Sequence, residues 1–303
     1  MSTTEDTLQV TAPATAWSVV PGAPHMTQAR SEMLRQISIL DEYGERRSIL
    51  IPVERPLTVF VDKRELVTLM TLGALPEFLV LGYLRNQRLI ESVEQIESIS
   101  VDWEVAAAAV RTHEGLSDLD ARTARRVVTT GCGQGTVYGD MMSQIDSIKL
   151  PDPSAARIRQ STLRRMLETI RQQDSIHRQA GSVHGCALFR GAEMLMFVED
   201  VGRHNAIDTI SGWMAMHGVP GADKTFFTTG RLTSEMVMKS AQIGVPIVVS
   251  RNGVTAMGFD LATQLGITLF GRAANRHFLC YTGVERFDSE PEPQRAPVRV
   301  VAG

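Results

Sequence analysis

Cys132 stands between two glycines in the run Gly131-Cys132-Gly133-Gln134-Gly135, and that setting decides how its thiol is read. A free cysteine is most often a small buried hydrophobe. Here the flanking glycines offer no local apolar packing, and the run is a turn signal following a strand pattern, where a nucleophile can reach more than one partner. With an ordinary pKa, such a thiol is only about 3% thiolate at neutral pH, so useful chemistry requires a neighbouring positive charge or a helix terminus. Cys186 and Cys280 lie within apolar strand patterns and read as core.

Positive charge recurs in the C-terminal half. Four segments that follow predicted strands each hold glycine and arginine: 199–205 with Gly202 and Arg203, 229–233 with Gly230 and Arg231, 251–255 with Arg251 and Gly253, and 271–277 with Gly271, Arg272 and Arg276. Glycine lets backbone N–H groups approach an anion, arginine grips phosphate with a planar fork, and three of the segments run into predicted helices whose N-termini favour negative charge. Such loops gather along one edge of an open α/β sheet, where ligands bind. The combination suits a large, multiply anionic ligand such as a pyrophosphate. The alternative is that the glycines are turn and cap residues and the arginines face water, as one such loop alone would usually mean. His204, His184 and His277 are candidates for proton handling, or else hydrogen-bonded structural residues. Glu199-Asp200 either holds His204 or an arginine in place or caps the following helix.

The elements that must position these residues fall into two groups. In the N-terminal part, Gln36–Leu40 and Arg47–Val53 read as a hairpin, Leu57–Val61 and Leu66–Thr71 as paired strands, the segment after Pro76 as a helix and Ile96–Val101 as another strand. Residues 1–32 are rich in Thr, Ser, Ala and Pro and predict a flexible leader, 33–111 a smaller α+β domain, 112–285 the α/β domain that opens with a linker over 113–124, and 286–303 a flexible tail. In the second part Pro153–Gln179 predicts one long amphipathic helix, whose Arg-rich outer face reads as solvated. Strand and helix then alternate at parallel-sheet length through Ile267–Phe270.

A chain of 303 residues with 43% hydrophobic content can bury a substantial core. Its formal net charge of -3 argues against a surface built for nucleic acid and requires any anion site to be local. Three cysteines with no CxxC pair give no disulfide framework and no resident metal site, and no run approaches the length of a membrane span. With no signal-peptide pattern either, the reducing cytoplasm is the expected compartment.

The segments 55–62 (RPLTVFVD), 199–208 (EDVGRHNAID), 229–236 (TGRLTSEM) and 244–251 (GVPIVVSR), in this order and spacing, resemble the FdhD family of formate dehydrogenase accessory sulfurtransferases over about residues 56–282. The resemblance implies a C-terminal deaminase-like, three-layer α/β domain with a mixed, largely parallel sheet, and a tendency to form homodimers. It implies a protein that takes sulfur from a cysteine desulfurase as a persulfide on Cys132. That sulfur then goes to Mo-bis(molybdopterin guanine dinucleotide), bound as cargo, for a molybdenum-dependent formate dehydrogenase. The family's cofactor-binding stretch falls on Arg272, Ala273, Ala274, Asn275, Arg276 and His277, with Arg203 and Arg231 beside it in the pocket. Cys132 matches the first cysteine of the family's C-G-x-C-G loop, whereas Gly135 replaces the second, so a cofactor-binding chaperone without sulfur transfer is the competing reading. A hydrolytic deaminase would need an H-x-E and a later P-C-x-x-C, and neither is present.

Overall fold

The computed structural model describes residues 17–116, 127–128, 135–136 and 145–290. The first part of the chain contributes β1 (His25–Met26), β2 (Leu34–Leu40), β3 (Arg46–Pro52), β4 (Arg55–Val61), β5 (Arg64–Thr71), α1 (Pro76–Asn86), β6 (Ile96–Asp102) and β7 (Ala107–Thr112). Short β8 (Val127–Val128), β9 (Gly135–Thr136) and β10 (Ile158–Arg159) precede α2 (Gln160–Gln172) and α3 (Ile176–Ala180). There follow β11 (His184–Arg190), β12 (Glu193–Asp200), α4 (Arg203–Met216), β13 (Lys224–Thr228), α5 (Ser234–Gln242), β14 (Ile247–Ser250), α6 (Ala256–Leu265), β15 (Thr268–Ala274), β16 (His277–Thr282) and β17 (Phe287–Asp288).

Two large sheets organise these elements. The N-terminal sheet has the order β1-β6-β7-β4-β5, and β2 and β3 form a separate antiparallel hairpin. Alternation along β4 buries Leu57, Val59 and Val61 against α1, whose first residue is Pro76, a favoured helix start because its missing N–H has no partner to lose there. The C-terminal sheet has the order β12-β11-β13-β14-β15-β16 and is mixed, with parallel pairing confined to β13, β14 and β15. β13 and β14 are buried at every position because both faces are covered. On one face Phe226, Val248 and Leu269 pack with apolar residues of α4, α5 and α6; on the other Phe227, Val249 and Phe270 pack with Leu163, Met166 and Leu167 of α2. This is a three-layer arrangement.

Several expectations change in the structure. The expected leader through residue 32 is incorrect for its later part: β1 pairs in parallel with β6, and the Trp17 ring meets Trp213 edge-on with centroids 5.3 Å apart, because apolar groups in that segment find a core to join. The single helix over Pro153–Gln179 is two, α2 and α3, since Ser175 takes an extended conformation and its side chain accepts from the Arg178 backbone N–H, starting a new helix. The expected loop 271–277 is mostly strand: β15 continues to Ala274, turns at Asn275-Arg276 and returns as β16. The tail begins later than residue 286, because β17 pairs with β10 and the Glu290 carboxylate accepts from the Ser161 backbone N–H at the start of α2, 2.8 Å away. Most of the expected linker over 113–124 lies outside the described residues.

Candidate functional site

Strands β12, β13, β14 and β15 run in the same direction, so their carboxyl ends share one edge of the sheet. Backbone hydrogen bonds stitch the loops leaving that edge into a continuous rim. The Arg251 N–H donates to Thr228 O (3.1 Å), Leu232 N–H to Gly253 O (3.0 Å), Thr255 N–H to Leu232 O (3.1 Å) and Arg272 N–H to Asn252 O (2.9 Å). The Asn252 amide donates to Thr229 O at 2.7 Å. Gly230 lies against Arg203, where an added β-carbon would stand 2.5 Å from Arg203 Cδ. Glycine is required there by close approach.

Behind the rim, on the face carrying α2 and α3, lies an open cleft of about 280 Å³. Its walls include Arg251, Ala273, Ala274 and Asn275 from the sheet edge and Arg171, His177 and Arg178 from α2 and α3. Arg251 makes no ion pair with a described residue, whereas Arg171 is held by a two-pronged pair with Glu168 at 2.6 and 2.8 Å. Glu199 is the acid in the cleft, and it is occupied: its carboxylate accepts from the backbone N–H groups of Ile176 (2.6 Å) and His177 (3.1 Å), fixing the start of α3. Burial raises its pKa despite those bonds. The cleft therefore has more cation than anion facing it.

The predicted site residues divide by position. Arg203 is buried behind Gly230, and its charge bears on Cys186, His184 and His204. Arg231 is exposed on the rim and bears on His184, whose pKa is lowered first by burial and then by Arg203, His177 and Arg231. Ala273, Ala274 and Asn275 line the cleft, whereas Arg272, Arg276 and His277 are exposed outside its lining. Arg272 takes φ of 52° where the pairing of β15 with β16 slips, and Asn275 takes φ of 54° at the hairpin turn, a conformation that asparagine tolerates better than most residues. Cys132 lies outside the described residues; on either side of it in the chain, Val127 pairs with Thr136 and Val128 with Gly135.

Histidine 204 has a structural rather than a proton-handling setting. Its Nε2 stands 3.2 Å from a Glu235 carboxylate oxygen, but burial, Lys239, Arg203 and His184 together push its pKa down to about 2, so the ring is neutral. Asp200 anchors the loop before α4 to the N-terminal sheet instead of holding a histidine. It accepts from Gly202 N–H (3.0 Å) and Asn205 (2.8 Å), and from Thr71 Oγ1 (2.5 Å) in the N-terminal sheet. Arg171, His177 and Arg178 are the cleft residues that sequence reasoning missed. The available signal was Ser175, an N-cap type inside what read as one long helix.

Of the three helices leaving the rim, α6 is capped by its own Thr255 side chain, while α4 and α5 have no side-chain cap. The N–H groups at those two starts are donors of the kind that bind anions. A sequence model described as the FdhD/NarQ family matches residues 52–288. The chain belongs to the FdhD/NarQ family. The sulfur carrier protein FdhD of Halalkalibacterium halodurans is 31% identical over 262 residues, covering 86% of this chain and 97% of its own. The protein of the same name from Listeria monocytogenes is 28% identical, covering 78% and 90%. A crystal structure of a proposed formate dehydrogenase accessory protein from Desulfotalea psychrophila is similar in fold, with a TM-score of 0.67, 23% identity and coverage of 84% of this chain and 98% of the other. Among the described residues, this FdhD/NarQ member has no helix long and apolar enough to cross a membrane and no group of three His, Cys, Asp or Glu side chains placed to hold a metal.

Proposed function

We propose that the protein is a sulfur carrier in which Cys132 receives sulfur from a cysteine desulfurase and passes it to Mo-bis(molybdopterin guanine dinucleotide) destined for a formate dehydrogenase. The observation that carries this reading is a rim in which the glycine- and arginine-bearing loops after β13 and β14 are stitched to one another and to Arg272 of β15, with Arg203 packed against Gly230, beside a cationic cleft. Loading forms one S–S bond and breaks another: the Cys132 thiolate attacks the outer sulfur of the donor's persulfide, and the donor's cysteine leaves as thiolate. The other two thiols are poor candidates for this step. Burial pushes Cys186 up to about 12 and Cys280 up to about 11, leaving each almost wholly protonated at neutral pH.

The cargo is a substrate with two pyrophosphates, and the residues present suit it. Arg251, Arg178 and the uncapped N-termini of α4 and α5 supply donors, Asn275 supplies an amide, and the cleft is of a size for one nucleotide portion. Arg203 and Arg231 add positive potential to the rim, and Arg272, Arg276 and His277 extend it along the β15–β16 hairpin. Holding carrier and cargo together makes the transfer a proximity effect.

The test is direct. Protein incubated with a cysteine desulfurase and cysteine should gain a persulfide mass increment on the peptide containing Cys132, and Cys132→Ser should abolish both that increment and activation of the dehydrogenase. Full activation by the serine variant would refute sulfur carriage. Gly135 in the place of the family's second loop cysteine favours one competitor, a chaperone that binds the cofactor without transferring sulfur; it predicts cofactor binding with Cys132 dispensable.

A further inference from the structure

At the opposite edge of the C-terminal sheet, beyond the end of α5, Arg85, Arg88 and Lys149 line a cleft of about 470 Å³ that also receives Asn86, Gln242 and Ile148. We propose that this cleft binds a phosphate-bearing small molecule. The inference is independent of sulfur transfer, because the cleft shares no residue with the rim.

Arg85 carries the first argument. Its guanidinium is half-buried and makes no ion pair or hydrogen bond to a described residue, so its charge is partly stripped of water without compensation. Burial is the sole cause acting on its pKa, which it lowers. An anion in the cleft would supply the missing partner.

Arg88 carries the second. It follows the end of α1 with φ of 55°, a backbone conformation that glycine adopts freely and a β-carbon resists, and it occupies the place where helices commonly end on glycine. A long cationic side chain there is held in place: Gln242, with its amide oriented by the groups around it, accepts from Arg88 Nε at 3.2 Å and donates to Asn86 O at 3.3 Å. Glu91, exposed, is the acid of the lining. A concave site of this volume is of small-molecule size, which favours a free phosphate compound over acidic side chains of a protein partner.

The experiment uses the full chain with pyrophosphate and adenosine diphosphate as the added ligands, titrated by calorimetry and mapped by hydrogen exchange. Protection over 85–91 and 242–245 is expected, with affinity at least about tenfold weaker in Arg85→Gln and in Arg88→Gly. Arg88→Gly relieves the backbone conformation, and an unchanged urea-unfolding midpoint in that variant separates its loss of binding from loss of fold. Arg251→Gln should leave this event intact. Equal binding of the two ligands means that phosphate alone is read; tighter adenosine diphosphate means that the half-buried Ile148 also holds the nucleoside. Wild-type affinity in both Arg85→Gln and Arg88→Gly, or protection confined to the rim loops, overturns the proposal.

Discussion

Gly82 of α1 and Gly212 of α4 meet backbone to backbone: a β-carbon on Gly82 would stand 1.7 Å from Asp208 O and 2.7 Å from Gly212 N, and one on Gly212 would stand 2.0 Å from Phe78 O. This crossing joins the two halves of the molecule, and buried polar contacts beside it fix its register. Asn86 donates to Asp208 (2.7 Å), Ser211 donates to Asn86 (3.0 Å), and Lys239 donates to the other Asp208 oxygen (2.8 Å). Because backbone blocks each added methyl, Gly82→Ala or Gly212→Ala should force the helices apart and cost about 3 kcal/mol or more. Urea unfolding should show the loss as a lowered midpoint; an unchanged midpoint would mean that the crossing is looser than described.

The neutral state of His204 ties stability to pH. Its folded pKa of about 2 lies below the ordinary 6.5, so the unfolded chain binds the extra proton first as pH falls. Stability from this source is fully present above about pH 6.5 and declines by about 1.4 kcal/mol per pH unit below it. His204→Gln should flatten the stability profile between pH 6.5 and 4.5, measured by urea unfolding at each pH. A slope identical to wild type would show that the ring is already charged in the fold.

Thiol reactivity should separate the three cysteines. At pH 8 a thiol near 12 is only about 10⁻⁴ thiolate, and one near 11 about 10⁻³, against about a quarter for an ordinary thiol. Native alkylation with iodoacetamide should therefore modify Cys132 long before Cys280 and Cys186, with all three reacting after denaturation. Peptide mass spectrometry reads the order directly, and early labelling of Cys186 would contradict its burial.

The cleft arginines should contribute unequally. Arg251 has no carboxylate partner among the described residues, whereas Arg171 already shares its charge with Glu168. Arg251→Gln is expected to weaken guanosine diphosphate binding about tenfold, or about 1.4 kcal/mol, and Arg171→Gln by less. Calorimetry on both variants checks the order.

By itself, the sequence determined the features that depend on neighbouring residues. Gly181 and Gly266 mark helix ends, the apolar runs 225–228 and 247–250 mark strands buried on both faces, and the same-direction order of β12 to β15 follows from helices long enough to cross between parallel strands. The family segments and the gathering of arginine-bearing loops at one edge were likewise legible, because that edge is fixed by topology, although the fourth of those segments, 271–277, is mostly strand. Tertiary structure alone decided what each arginine faces. Arg203 and Arg251 follow equivalent strands, yet one is buried beneath Gly230 and the other opens onto a cleft whose second wall, Arg171 and Arg178, comes from helices four strands earlier in the chain. Burial and partnership depend on contacts between residues far apart in sequence, and a local pattern carries the periodicity of an element but not the identity of what packs against it.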